Sequence, residues 1–146
     1  MSVEPLNGHG PSRRRSMLDL LLEESVGLAE DVRDYITSRS PRDSLPGSAV
    51  DKLKESAEIG RITSRVTFSV AWLMSRNAVI AGEISHEESL DERHRLGGAG
   101  ICDIEGDPPS TASTQLLRLS HQSRSLYTRI ARLDRDLDPS ASHSRH

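Results

Sequence analysis

The chain has 146 residues, enough for one domain with a modest core. A formal net charge of −3 leaves no general basic field for nucleic acid, and 3% aromatics give little material for base stacking or a β-sandwich core. Cys102 is the only cysteine, which excludes an internal disulfide and fits a reducing, cytoplasmic compartment; no apolar run approaches the ~20 residues that span a bilayer.

Residues 1–15 mix Gly, Pro and polar side chains and read as a disordered tail. The triplet Arg13-Arg14-Arg15 before Met17-Leu18 has the outline of an export signal, but Asp19, Glu23 and Glu24 interrupt what must be an uncharged apolar stretch. A first helix is predicted over about 16–39, with Ser16 as N-cap and Asp19 three positions on. Its apolar seam is Leu18, Leu21, Leu22, Val26, Leu28, Ala29, Val32, Tyr35 and Ile36. Pro41 and Pro46-Gly47 end it, and the linker 38–48 returns the chain for an antiparallel second helix.

That second helix, about 49–82, organises the rest. It has no proline, Ser48 can cap it, and Asp51 lies in its first turn. One face is a heptad seam of mostly small residues: Leu53, Ala57, Gly60, Ser64, Thr67, Ala71, Met74, Ala78 and Ala81. A second face is aliphatic, with Ile59, Ile62, Val66, Val70, Leu73 and Ile80. Two apolar stripes place this helix centrally, with the small seam admitting a close neighbour. The third face carries Lys54, Glu58, Arg61, Arg65, Arg76 and Glu83, interrupted by Phe68 and Trp72, the only phenylalanine and tryptophan. Aromatics on a charged stripe point to contact with another chain or with a short helix laid across it. Arg61, Arg65, Phe68, Trp72, Arg76 and Glu83 are therefore the candidate protein-interaction residues.

Gly82 closes the long helix, and Ser85-x-x-Glu88 is a capping box that opens a short polar helix over about 85–95. Residues 96–110 read as a loop, long enough to imply either function or disorder. A last helix spans about 111–137, capped by Ser110 or Thr111, with the seam Ala112, Leu116, Leu119, Ser123, Leu126, Ile130, Leu133 and Leu137. Residues 138–146 form a second disordered tail. The expectation is an all-α fold: a three-helix, up-and-down antiparallel bundle with a short extra helix, in one domain over 16–137.

No constellation for chemistry emerges. His86 and His94 lack the spacing of a zinc site, Cys102 has no adjacent basic group to activate it, and Gly97-Gly98-Ala99-Gly100 is not a phosphate loop. No metal, no cofactor and no enzymatic activity are expected. Ser120-His121-Gln122-Ser123-Arg124 has the outline of a phospho-accepting histidine box, but Gln122 replaces the acid and the following proline is missing. Phosphotransfer through His121 and DNA binding are the alternatives, the second opposed by Glu58 beside Arg61 and Arg65 and by the acidic total.

Several runs resemble one family: Glu24-Ser25 through Tyr35, Gly60-Arg61-Ile62-Thr63-Ser64-Arg65-Val66, Ala71-Trp72-Leu73-Met74, Ala78-Val79, Gly82-Glu83-Ile84-Ser85, Ser123-Arg124-Ser125-Leu126-Tyr127 and Arg129-Ile130-Ala131-Arg132-Leu133-Asp134. Together, over residues 17–137, they resemble the RcdA-like proteins of alphaproteobacteria, named for regulation of CtrA degradation. The resemblance implies a homodimeric three-helix bundle without enzymatic activity. It implies a cytoplasmic proteolytic adaptor that links cell-cycle regulators to the ClpXP protease. The partners it implies are a response-regulator-like primer and a cyclic-di-GMP effector, with no nucleic acid and no membrane. The chain departs from the family's pattern at Arg76-Asn77 and at Phe68, both on the third face.

Overall fold

The computed structural model describes residues 16–38 and 48–139. The expected tail 1–15, the expected tail 138–146 beyond residue 139, and most of the linker 38–48 lie outside the described residues. Among the described residues there are four α-helices: α1 (Met17–Ser38), α2 (Ala49–Ile80), the single turn α3 (Ala99–Cys102) and α4 (Thr114–Arg135). The long three form the bundle.

Each long helix starts where a short polar side chain satisfies its free amides. Ser16 and Ser48 make reciprocal capping boxes with Asp19 and Asp51, side chain to backbone in both directions. α4 begins later than expected, at Thr114, because a turn in which the Ala112 amide donates to the Pro109 carbonyl occupies the preceding residues. Ser113 caps it, its Oγ accepting from the Leu116 amide at 3.1 Å. α2 ends in a Schellman arrangement: Gly82 takes φ +79°, its amide donates to Val79, and Glu83 donates to Ala78.

The direction of α4 differs from the expectation. Tyr35 at the end of α1 donates to Glu55 at the start of α2, so these two are antiparallel. Along α2, however, Glu58 meets Ser120, Arg65 meets Ser123, and Trp72 meets Asp134. The order rises on both helices, so α2 and α4 are parallel, and the bundle is not up-and-down. A parallel pair needs a connection that travels back along the whole bundle. Residues 81–113 provide it.

This connector also replaces the expected helix over 85–95. The Ser85–Glu88 box forms at 3.0 Å in both directions, but two 3-10 turns follow, Glu88–Leu90 and Glu92–His94. Asp91 between them is extended, at φ −62° and ψ 146°, which breaks the ladder. The segment has little apolar surface to bury, so continuing the helix gains little. Within 96–110, expected as a loop, α3 adds one turn. Gly98 precedes it at φ +80°, with a Cβ position only 2.5 Å from the Phe68 ring; no other residue fits there without displacing that ring.

The core is shared by Leu21, Leu28, Val32 and Tyr35 of α1, Ile62, Val66, Trp72 and Leu73 of α2, and Leu116, Leu119, Leu126 and Ile130 of α4. The seams read for α1 and α4 face inward, except that Val26 and Ile36 remain exposed. The second, aliphatic face of α2 is the one that meets the core; only Ile80 at its end stays exposed.

Candidate functional site

The returning connector is a strap lying along α2 and α4, and it covers the third face of α2. From one end, Arg95 grips Asp134, Nε to Oδ1 at 2.9 Å and Nη2 to the carbonyl at 2.7 Å, and the Leu96 amide adds a 3.3 Å bond. The same Asp134 carboxylate accepts from Trp72 Nε1 at 2.8 Å. Tyr127 donates to the Gly97 carbonyl at 2.7 Å, and burial pushes its phenol up to about 12. Further on, Lys54 pairs with Asp107 at 3.3 Å.

Arg65 is the centre of this contact. It is completely buried. Its guanidinium donates to the strap carbonyls of Cys102 at 2.8 Å and Ile104 at 2.7 Å, and to Ser120 O and Ser123 Oγ of α4 at 3.2 Å each. Burial lowers its pKa from the ordinary arginine value, and the nearby Glu58 carboxylate works against that. Glu58, also fully buried, accepts from Ser120 Oγ and from Arg61 Nη2, the latter at 3.3 Å. Gly106 of the strap lies against the Glu58 carboxylate, where a side chain would collide with it. Cys102 is fully buried beneath this network, and burial raises its thiol pKa; it has no access to a substrate.

These positions correct the candidate interaction set. Arg65 is 0% exposed and Trp72 3%, so neither offers itself to another chain. Phe68 is half-buried under Gly97 and Gly98. Arg61 is half-buried with Glu58, and Arg76 is half-buried with Nη1 donating to Ser89 Oγ at 2.9 Å. Glu83 alone is exposed, just beyond the Schellman turn. The aromatics on the charged stripe do mark a contact, and the covering partner is the chain's own strap.

The exposed face of α2 is instead the seam assigned to the core. Leu53 is 74% exposed and Met74 56%, and Ala57, Gly60, Thr67, Ala71 and Ala81 are exposed with them, while Ser64 and Ala78 are half-buried. No charged residue interrupts this stripe from Leu53 to Ala81. A solvated helix face normally carries charge, so an uncharged stripe of this length is an unpartnered surface. The signal was in the sequence: the seam holds no side chain large enough, between Leu53 and Met74, to fill a space between helices.

His121 is exposed on α4, and His86 is exposed before the 3-10 turns. Among the described residues, no group of three or more His, Cys, Asp or Glu is arranged to hold a metal ion. No described helix is long and apolar enough to cross a membrane.

Residues 11–146 match the model of a family described as "Protein of unknown function (DUF1465)". The structure is similar to the crystal structure of RcdA from Caulobacter crescentus CB15, with a TM-score of 0.64 and 27% sequence identity over 85% of this chain and 92% of that one. No protein with a curated description matches.

Proposed function

The chain belongs to the DUF1465 family, an RcdA-like family of helical bundles, and from that membership we propose that it is a non-enzymatic adaptor. In this reading it links cell-cycle regulators to the ClpXP protease in the cytoplasm, using the bundle of residues 16–137 as its working unit. Its partners are a response-regulator-like primer, a cyclic-di-GMP effector and a second copy of itself.

What carries the proposal is the likeness to RcdA joined to the uncharged outer stripe of α2. A helix face of small residues lets a second helix approach closely, and Leu53 and Met74 near its two ends supply apolar anchors. We assign the homodimer contact to this stripe, in place of the third face. An adaptor works by holding protease and cargo on one body, which makes cargo engagement effectively intramolecular.

The test is reconstituted proteolysis by ClpXP of candidate cargo, with and without the protein. Acceleration without consumption of the protein supports the reading. Leu53→Asp with Met74→Asp places two charges in the stripe and is expected to give a monomer by light scattering with an unchanged melting temperature. A dimer that survives this pair moves the contact elsewhere. If no cargo-specific acceleration occurs with primer and effector present, the adaptor role is wrong.

A further inference from the structure

The outer face of α4 is basic although the chain is acidic. Between Thr114 and Arg135 the helix carries Arg118, Arg124, Arg129, Arg132 and Arg135 and a single acid, Asp134. That acid is turned away, held by Arg95 and Trp72. Leu117, His121, Arg124, Thr128, Arg132 and Arg135 follow one another at steps of three and four, so they form one ridge about 27 Å long on the side away from Leu119 and Leu126. Arg118, Arg132 and Arg135 have no ion-pair partner among the described residues; Arg124 donates from Nη2 to the Asp103 carbonyl at 3.3 Å, and its Nε is buried with no acceptor.

A groove of about 440 Å³ runs beside this ridge, walled by the strap at Glu105, Gly106 and Pro108 and floored by Ser120, Ser125 and Thr128. Leu117, 46% exposed, supplies an apolar surface at one end. We propose that this groove binds an acidic peptide segment of a partner protein, laid along α4 with its carboxylates toward Arg124 and Arg132 and one apolar side chain against Leu117 and Pro108. A ridge of this length accommodates about eight residues of extended chain. The site lies on a different helix from the α2 stripe and does not depend on the adaptor reading.

The same surface is poorly suited to nucleic acid. No aromatic lies on the ridge, since Tyr127 is turned inward and buried. Single-stranded nucleic acid is normally held by aromatic stacking beside a basic groove, and this groove supplies only the charge. Arg132 and Arg135 act through charge, so binding weakens as salt rises.

Fluorescence anisotropy tests this with the full chain and a labelled peptide of alternating Asp and Glu around one central Leu. Controls are the same peptide with Lys at the acidic positions and a single-stranded RNA of equal length. Saturable binding of the acidic peptide alone is expected, weakened about tenfold or more by Arg132→Glu with Arg135→Glu, both on the ridge. Arg33→Glu on exposed α1 should leave it unchanged, and circular dichroism checks each variant's fold. Arg132→Gln serves as the milder variant, expected to weaken binding by a smaller factor. No saturable binding, binding that ignores the α4 variants, or RNA binding as tight as the peptide's would each overturn the proposal.

Discussion

Replacing Arg65 by Met keeps most of the side-chain volume and removes every donor. Arg65 makes four hydrogen bonds, two of them at 2.7 and 2.8 Å to strap carbonyls and two at 3.2 Å to α4. Bonds to a charged donor contribute about 1.5–3 kcal/mol each when short and well aligned. Their sum overstates the effect, because the native state also bears the cost of taking the guanidinium out of water. Removing one member of a buried charged network costs roughly 3–5 kcal/mol, since the groups left behind stay desolvated. Here those groups are the Cys102, Ile104 and Ser120 carbonyls and the buried Glu58. Against a total stability of about 5–15 kcal/mol, that loss is a large fraction. Urea unfolding of Arg65→Met should therefore show a loss of about 3–5 kcal/mol. Hydrogen exchange at 101–103, whose amides close the α3 turn onto Gly98 and Ala99, should speed before α1 and α2 open. Arg65→Lys keeps the charge but not the fork, and should recover only part of the loss. If Arg65→Met stayed within about 1 kcal/mol of the parent and exchange at 101–103 were unchanged, the strap would not be held by Arg65.

Trp72→Ala should cost about 3–5 kcal/mol of folding stability by chemical denaturation, from lost burial and the broken bond to Asp134, while the mass by light scattering stays that of the parent. A loss of association at unchanged stability would return Trp72 to an interface. Tyr127 ionises near 10 when unfolded and near 12 when folded, so below 10 both states keep the proton and its contribution is complete. Between those values the unfolded state sheds the proton first, so stability falls as pH rises. Tyr127→Phe should flatten that alkaline decline, followed as the urea midpoint against pH; an unchanged slope would show that the phenol is not protected.

The parts of the fold legible in the sequence were those set by neighbours in the chain. The Ser16, Ser48 and Ser85 caps need only a residue three positions away, and all three form. The inward seams of α1 and α4 follow from single apolar stripes. The faces of α2 could not be assigned this way. Glu58 and Arg65 are charged, and charged residues are buried only when something pairs with them. Their partners are Ser120, Cys102 and Ile104, distant in sequence, so local periodicity assigned both to an outer charged stripe and the small seam to the core. The parallel course of α4 had a visible sign in the 33 residues between Ala81 and Ser113, longer than an antiparallel helix turn needs. Phe68 and Trp72 on a charged stripe were the other sign, since something had to cover them.

Burying Arg65 and Glu58 also sorts the charges left outside. α1 presents Asp19, Glu23, Glu24, Glu30, Asp31 and Asp34; the outer face of α2 presents none; α4 presents arginines. The Arg129–Glu24 pair lies where the acidic and basic faces meet. A net charge of −3 averages over opposed faces, so composition alone excluded only a general basic field. The Debye length is about 8 Å at physiological salt, so a segment lying on α4 responds to Arg124 and Arg132 more than to acids across the bundle. The same sorting separates the two unpartnered surfaces. The α2 stripe faces away from α4 and needs apolar contact, which salt strengthens or leaves alone; the α4 ridge needs charge, which salt weakens. Raising salt should therefore release an acidic peptide from α4 while a second copy stays on α2. A salt titration that lost both together would show that the two surfaces are one site.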